Sequence, residues 1–132
     1  MRVFVTGGAG FIGSHMVDIL LDHDYIVRVI DNLIGGRESN LAGQIDNSRL
    51  QVDLRDIREV SADDALFKGI DYVVHFAGIG DIVPSIEQPT DYMSANVMGT
   101  VAALEGARHA GVEKFVYAAS SSCYGLASTP TK

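Results

Sequence analysis

Val3-Phe4-Val5-Thr6-Gly7-Gly8-Ala9-Gly10-Phe11-Ile12-Gly13 is the stretch on which the reading of this chain turns. A β-branched apolar run leads straight into a glycine cluster, and apolar residues at helical spacing follow at once (Met16, Val17, Leu20, Leu21). Strand, glycine turn and helix in that order are the context in which such glycines cradle a dinucleotide. One glycine makes the tight turn, one lets the backbone approach a pyrophosphate, and Gly13 lets the helix pack close to the strand. The N–H groups and positive dipole end of the new helix then face the phosphates. Two registers fit. Gly8, Gly10 and Gly13 satisfy G-x-G-x-x-G, while Gly7, Gly10 and Gly13 satisfy G-x-x-G-x-x-G. Glycines at either spacing also make ordinary turns.

Asp31 favours the dinucleotide reading. It ends the next apolar run (Ile26, Val27, Val29, Ile30) about 20 residues past the glycines, where an acid accepts hydrogen bonds from an adenosine ribose. The same acid repels a 2′-phosphate, so NAD is expected over NADP. Arg37, slightly downstream, keeps NADP as the lesser alternative.

Composition narrows the classes further. The chain has 132 residues, 47% of them hydrophobic and 20% charged, which is enough for one globular domain with an ordinary core. A net charge of −7 argues against nucleic acid or an acidic membrane surface as partner. No apolar run approaches the roughly 20 residues of a transmembrane helix. With a strand predicted from residue 2, no leader peptide is expected, and the lone cysteine, Cys123, excludes a disulfide framework. The expected location is the cytoplasm. The histidines at 15, 23 and 109 have no second ligand at metal spacing, so no metal site is expected.

Apolar runs alternate with helical patterns throughout. Strands are predicted near 2–6, 26–30, 49–52, 71–76 and 114–118, and helices near 11–22, 56–67 and 90–110. Continuously apolar strands belong to a parallel sheet covered on both faces. The predicted fold is therefore α/β, a doubly wound parallel sheet ordered 3-2-1-4-5, with residues 1–132 forming one domain.

Several residues then fall at the carboxyl edge of that sheet. Residues 32–48 are the least regular stretch and either wrap an adenosine or form a solvated connection. Asp53 either accepts from an adenine amino group or caps the following helix, and the ligand role is preferred; for Asp56 the cap is preferred. His75-Phe76-Ala77-Gly78 ends the fourth strand, where small residues admit a ligand or simply ease the strand's exit. His75 itself reads as a core histidine rather than a base. Asn96 is polar on a face expected to be buried, so it braces a loop or orders water beside a ligand. Ser120, Ser121 and Ser122 follow the last strand. No base stands beside them and the G-x-S-x-G elbow is absent, so a serine hydrolase is a poor fit. A hydroxyl that hydrogen-bonds a substrate alcohol fits better, with a helix-capping turn as the alternative.

Taken together, TGGAGFIG at 6–13, DNL at 31–33, VDLRD at 52–56, HFAG at 75–78, NVMGT at 96–100 and ASSSCYG at 119–125 resemble the N-terminal part of an extended short-chain dehydrogenase/reductase. The resemblance is to the NAD-dependent nucleotide-sugar epimerase/dehydratase type and spans essentially the whole chain. It implies a Rossmann domain with the NAD pyrophosphate over Gly7, Gly10, Phe11, Ile12 and Gly13. It places the adenosine ribose on Asp31 and Asn32, and adenine near Asp53 and Leu54. The nicotinamide side falls on Phe76, Ala77 and Gly78, with Asn96 nearby. Four residues before Tyr124, Ser120 takes the place of the hydroxyl that assists the family's catalytic tyrosine.

Dehydratases of this type usually carry acids at one or both of the next two positions, where this chain has Ser121 and Ser122. The resemblance therefore implies epimerisation of a UDP-sugar at C4 through a transient keto intermediate. A 4,6-dehydratase or keto-reductase is the alternative within the family. A non-catalytic NAD(P)-binding or redox-sensing module is the alternative from another class. Related enzymes commonly dimerise through helices flanking the sheet, which implies a homodimer.

One departure stands out. The family's Tyr-x-x-x-Lys is missing, because none of Tyr72, Tyr92, Tyr117 or Tyr124 has a lysine four residues on. The reading is thus of the cofactor-binding part of a longer enzyme, unable by itself to turn over a sugar.

Overall fold

Strand β1 (Arg2–Thr6) is buried at four of its five residues because both of its faces are covered. Val3 and Val5 join a cluster with Ala9, Val17 and Leu21, whereas Phe4 joins the opposite cluster with Phe67, Val73, Ala103 and Ala107. That alternation is the two-residue period of a strand between two apolar layers. It explains why Val3, Phe4 and Val5 are all apolar. The computed structural model describes residues 1–125.

Among the described residues β1, β2 (Ile26–Ile30), β3 (Leu50–Asp53), β4 (Tyr72–His75) and β5 (Lys114–Tyr117) form one parallel sheet in the order β3-β2-β1-β4-β5, the predicted doubly wound arrangement. Helix α1 (Phe11–Asp22) supplies Val17 and Leu21 to one layer. Helix α4 (Gly99–Ala110) supplies Ala103 and Ala107 to the other. Small residues on α4 let it sit close to the 65–67 turn, and a Cβ at Gly106 would lie 2.1 Å from the Phe67 ring. Helix α4 ends at Gly111, whose φ of +70° is the left-handed stop that glycine adopts without strain.

Register does more for the site than any single element. Asp53 pairs with Ile30, Ile30 with Thr6, Thr6 with His75, and His75 with Tyr117. These five residues make one row across the sheet. The ladder runs one step further through Gly7 N to Ile30 O (2.8 Å), Asp31 N to Asp53 O (3.1 Å), Phe76 N to Thr6 O (3.0 Å) and Ala118 N to His75 O (3.2 Å). All five strand exits therefore leave the sheet at one level.

The helices hold three corrections. The helix predicted near 56–67 is two short 3-10 turns, Ile57–Glu59 and Ala65–Phe67. Asp56 and Asp64 each accept from the backbone N–H two residues on, and those local bonds replace a continuous helix. The run predicted near 90–110 is not one helix. It is α3 (Pro89–Met93), a π-helical turn (Ser94–Met98) and α4. Thr100 Oγ1 donates to the Asn96 carbonyl at 2.6 Å, so that carbonyl has a side-chain partner inside the bulge. A further helix, α2 (Ile82–Glu87), was not predicted. Pro84 reads as a breaker in sequence, but it lies in the first turn, where an N–H has no helical partner to lose. The irregular stretch 32–48 contains a 3-10 helix, Glu38–Gln44, anchored by Leu41.

No helix among the described residues is long and apolar enough to cross a membrane.

Candidate functional site

Two adjoining clefts open along the row of strand exits. The larger, about 350 Å³, is walled by Gly7, Gly10, Asp31, Asn32, Arg55, Phe76, Ala77 and Gly78, among others. The smaller, about 290 Å³, shares Phe76, Ala77 and Gly78 and adds His75, Asn96, Thr100, Tyr117 and Ser120.

The glycine turn is shaped by close approach. At Gly7, φ is +69° and a Cβ would lie 2.7 Å from Ala77 N, so the exits of β1 and β4 are in backbone contact. A Cβ at Gly13 would lie 2.1 Å from Gly7 O, which seats α1 directly on the turn. Gly10 is the N-cap of α1, and no side chain caps that end. Its first amides have no intrahelical partner, so an uncapped helix terminus faces the glycine loop, a favourable place for an anion.

Asp31 faces that turn from the end of β2 and is only 8% exposed. Its Oδ2 accepts Ala9 N at 2.9 Å and its Oδ1 accepts Leu33 N at 2.8 Å. The carboxylate thus ties the glycine loop to the β2 exit, while each oxygen keeps a lone pair for a further donor. Ala9 O in turn accepts Arg37 N (3.0 Å) and Asn40 Nδ2 (2.8 Å), which docks the 32–48 stretch onto the same loop. Asn32 Oδ1 accepts Ile34 N at 3.2 Å, and its Nδ2 donates to Asp56 at 2.8 Å.

At the β3 exit, Arg55 forms a fork. Its Nε and Nη2 donate to the Asp53 carboxylate at 2.8–3.0 Å, and its Nη1 donates to Asp64 at 3.0 Å. Hydrogen bonds to those two acids raise the guanidinium pKa, and the Arg55 bond lowers that of Asp64. Asp53 is half-buried and engaged by Arg55; Leu54 is exposed. Arg55 itself, and neither Asp53 nor Leu54, lines the larger cleft. Asp56 is the N-cap of the 57–59 turn, the role preferred for it from sequence.

The smaller cleft rests on His75, which is 1% exposed. Its Nδ1 lies 2.6 Å from Thr6 Oγ1 and its Nε2 lies 3.0 Å from Thr100 Oγ1. Thr100 spends its hydrogen on the Asn96 carbonyl, so it must accept from His75, and Nε2 carries the proton. Nδ1 is then an acceptor for the Thr6 hydroxyl, whose oxygen also accepts Ala77 N at 3.2 Å. The result is one directed chain: Ala77 N–H, Thr6, His75, Thr100, Asn96 C=O. Burial lowers the His75 pKa to about 4, so the ring is neutral at physiological pH, as this chain of bonds requires. This is a core histidine that fixes a strand exit, and its proton is committed.

Asn96 braces a loop, one of the two roles foreseen for it. Its Oδ1 accepts Ile79 N at 2.7 Å and its Nδ2 donates to Ile79 O at 3.0 Å. The pair clamps the backbone after Gly78. Ser120 is exposed on the wall of the smaller cleft.

Of the residues singled out from sequence, Gly7, Gly10, Asp31, Asn32, Phe76, Ala77 and Gly78 come together around the larger cleft. Asn96 and Ser120 meet at the smaller one. Phe11 and Ile12 are exposed at the start of α1 and Gly13 is buried beneath them; none of the three lines either cleft. Sequence reasoning missed Thr6, Arg55 and Thr100. Thr6 meets His75 only through strand pairing across 69 positions, a relation with no local signal. Arg55, two residues past Asp53, and Thr100, four past Asn96, do stand at spacings that permit contact.

A family model described as the NAD dependent epimerase/dehydratase family matches residues 3–132. The chain is 38% identical over 119 residues to a putative UDP-glucose 4-epimerase of Methanocaldococcus jannaschii, covering 89% of this chain and 37% of that protein. Among solved structures it resembles the UDP-N-acetylglucosamine 4-epimerase of Methanobrevibacter ruminantium in complex with UDP-N-acetylmuramic acid. That match has a TM-score of 0.92 at 32% identity and covers 99% of this chain and 42% of the other. It also resembles the UDP-glucuronic acid 4-epimerase of Bacillus cereus in complex with UDP-glucuronic acid and NAD. Here the TM-score is 0.89 at 35% identity, covering 100% of this chain and 44% of the other. The chain thus spans about two-fifths of the length of these relatives.

Proposed function

The chain belongs to the NAD dependent epimerase/dehydratase family, and from that membership we propose that it holds NAD across its strand exits as the cofactor-binding part of a nucleotide-sugar 4-epimerase. The observation that carries this reading is the cleft itself. An uncapped helix N-terminus and a glycine turn stand at its middle, a buried carboxylate at one end and a braced small-residue backbone at the other. This donor set fits a dinucleotide: the first helical amides, of Phe11 and Ile12, which follow the cleft-lining Gly10, for the pyrophosphate, and an acid for ribose hydroxyls at Asp31. Asn32 joins Asp31 at the ribose, Arg55, held by Asp53, lines the cleft on the adenine side, and the backbone of Phe76, Ala77 and Gly78 borders the nicotinamide.

Bound in this cleft, NAD would supply the hydride-transfer chemistry of an epimerisation. The chain's own contribution is geometric and electrostatic. Asp31 keeps the glycine loop closed against β2. The Thr6–His75–Thr100 bonds fix Ala77, and Asn96 fixes Ile79, so the nicotinamide-side backbone is held from both ends. Ser120 presents a hydroxyl at the smaller cleft, where it hydrogen-bonds the sugar oxygen that gains or loses a proton. The substrate class is a UDP-sugar and the location is the cytoplasm.

A second copy of the chain is the proposed partner. Met93, Val97, Val101 and Leu104 are each more than two-fifths exposed and lie at helical spacing along α3, the π turn and α4. Sedimentation velocity distinguishes dimer from monomer.

Titration calorimetry with NAD tests the central reading. Saturable binding that ADP-ribose competes away is the expected result. No heat and no thermal stabilisation at millimolar NAD would overturn it.

A further inference from the structure

The two ends of the cofactor cleft are built from separate parts of the chain, the exits of β2 and β4. Asn32 stands at the adenosine end, on the exit of β2, and Ile79 lies beyond the nicotinamide-side backbone, on the exit of β4. A single line of polar contacts joins them. Asn32 Nδ2 donates to Asp56 Oδ2 at 2.8 Å. Arg58 grips the same carboxylate with two donors, Nε to Oδ1 at 2.9 Å and Nη2 to Oδ2 at 2.6 Å. The third arm of that guanidinium, Nη1, donates to Ser94 Oγ at 2.8 Å. Ser94 opens the π-helical turn whose Asn96 clamps both backbone groups of Ile79.

We propose that Arg58 is a positioning residue that couples the two ends of the bound dinucleotide, by holding the Asn32 support and the π-helical turn in one rigid relation. The proposal rests on the NAD reading given above. Three observations separate this pair from a surface ion pair of small effect. The Asp56 side chain is only 14% exposed. Its carboxyl is held well below the usual carboxylate range, chiefly by the Arg58 side chain, with burial opposing. Both of its oxygens are also shared, one with Asn32 and one with Arg58 N. The geometry needs a planar fork, two donors for the carboxylate and one pointing away to Ser94. A lysine ammonium offers one nitrogen and cannot span both.

The test is a double-mutant cycle read by calorimetry on the 132-residue chain, with NAD and with ADP-ribose, which lacks the nicotinamide. Wild type, Asn32→Ala, Ser94→Ala and the double variant are compared, then Ser94→Ala is repeated in an Arg58→Lys background. Asn32 bonds to Asp56 and Ser94 to Arg58, so without Arg58 as intermediary their effects on the NAD dissociation constant are expected to multiply to within about twofold. Coupling through Arg58 predicts departure from that product by about threefold or more for NAD, and none for ADP-ribose. In the Arg58→Lys chain, Ser94→Ala is then expected to cost no further NAD affinity.

Losses that multiply, or a departure equally large with ADP-ribose, overturn the coupling. A merely structural tie would weaken both ligands alike. If Arg58→Lys does not fold, judged by circular dichroism, the Asn32/Ser94 cycle alone decides the matter. Wild-type chain that binds neither ligand overturns the cofactor reading and this inference with it; wild-type binding with multiplying losses overturns this inference alone.

Discussion

Thr6 Oγ1 and His75 Nδ1 stand 2.6 Å apart, one residue at the end of each of two paired strands. Burial keeps the ring neutral, and because Thr100 must accept from Nε2, the neutral ring is fixed as the Nε2–H tautomer. Protonation would turn Nδ1 into a donor, so the Thr6 hydroxyl would lose the acceptor for its own hydrogen.

This predicts a pH-dependent stability. The folded pKa of His75 is lowered to about 4 from an ordinary 6.5. Above pH 6.5 the ring is neutral folded or unfolded. Between pH 6.5 and 4 the unfolded chain takes the proton first, so stability falls with pH and levels off below pH 4. The loss is up to about 3 kcal/mol. Urea unfolding of wild type and His75→Gln at several pH values checks it. The variant is expected to be weaker at pH 7 but to lack the histidine's share of the slope.

The glycine turn predicts a contrast between neighbours. A methyl at Gly13 would sit 2.1 Å from Gly7 O, so Gly13→Ala is expected to cost about 3 kcal/mol or more. A methyl at Gly10 would meet only Gly7 O, at 3.2 Å, leaving it to face the cleft. Gly10→Ala should therefore cost about 1 kcal/mol of stability and yet lose NAD affinity at least about tenfold. Unfolding and calorimetry on both variants separate the two effects.

Asp31→Ala removes the acceptor of Ala9 N and Leu33 N. Leaving those amides unpaired is expected to cost about 1–3 kcal/mol. Removal of the carboxylate also narrows the preference for NAD over NADP. Thermal shifts with each dinucleotide measure the ratio, and an unchanged ratio would speak against a ribose-binding role.

Activity offers a fourth check. With NAD and a panel of UDP-sugars, the 132-residue chain is expected to give no epimer, since no tyrosine among residues 72, 92, 117 and 124 has a lysine four positions on. Detectable turnover would place the proton-handling groups elsewhere in this chain, with Ser120 first to be replaced by alanine.

Much of this protein is legible one segment at a time. The run from Val3 to Gly13 carries its own strand, turn and helix because each depends on neighbours: apolar β-branching, the space only glycine leaves, and helical spacing thereafter. Asp31 and the small residues after His75 are likewise visible, since they follow directly on apolar strands. The helix expected over 56–67 failed for a reason equally local but harder to weigh, the competition of Asp56 and Asp64 side chains for backbone amides.

Tertiary structure alone decided which of these segments share a level. Strand register aligned Asp53, Ile30, Thr6, His75 and Tyr117 in one row, and the side-chain bonds that complete the site cross it or bridge its loops. Thr6 with His75, Asn32 with Asp56, and Arg58 with Ser94 are 69, 24 and 36 residues apart. Periodicity reports which face of an element is buried, but a hydrogen bond between distant side chains exists only once packing has set both ends within 3 Å or so of each other. The chain's sequence thus determined the cofactor-shaped turn and the acid opposite it. The folded sheet determined what holds them in place.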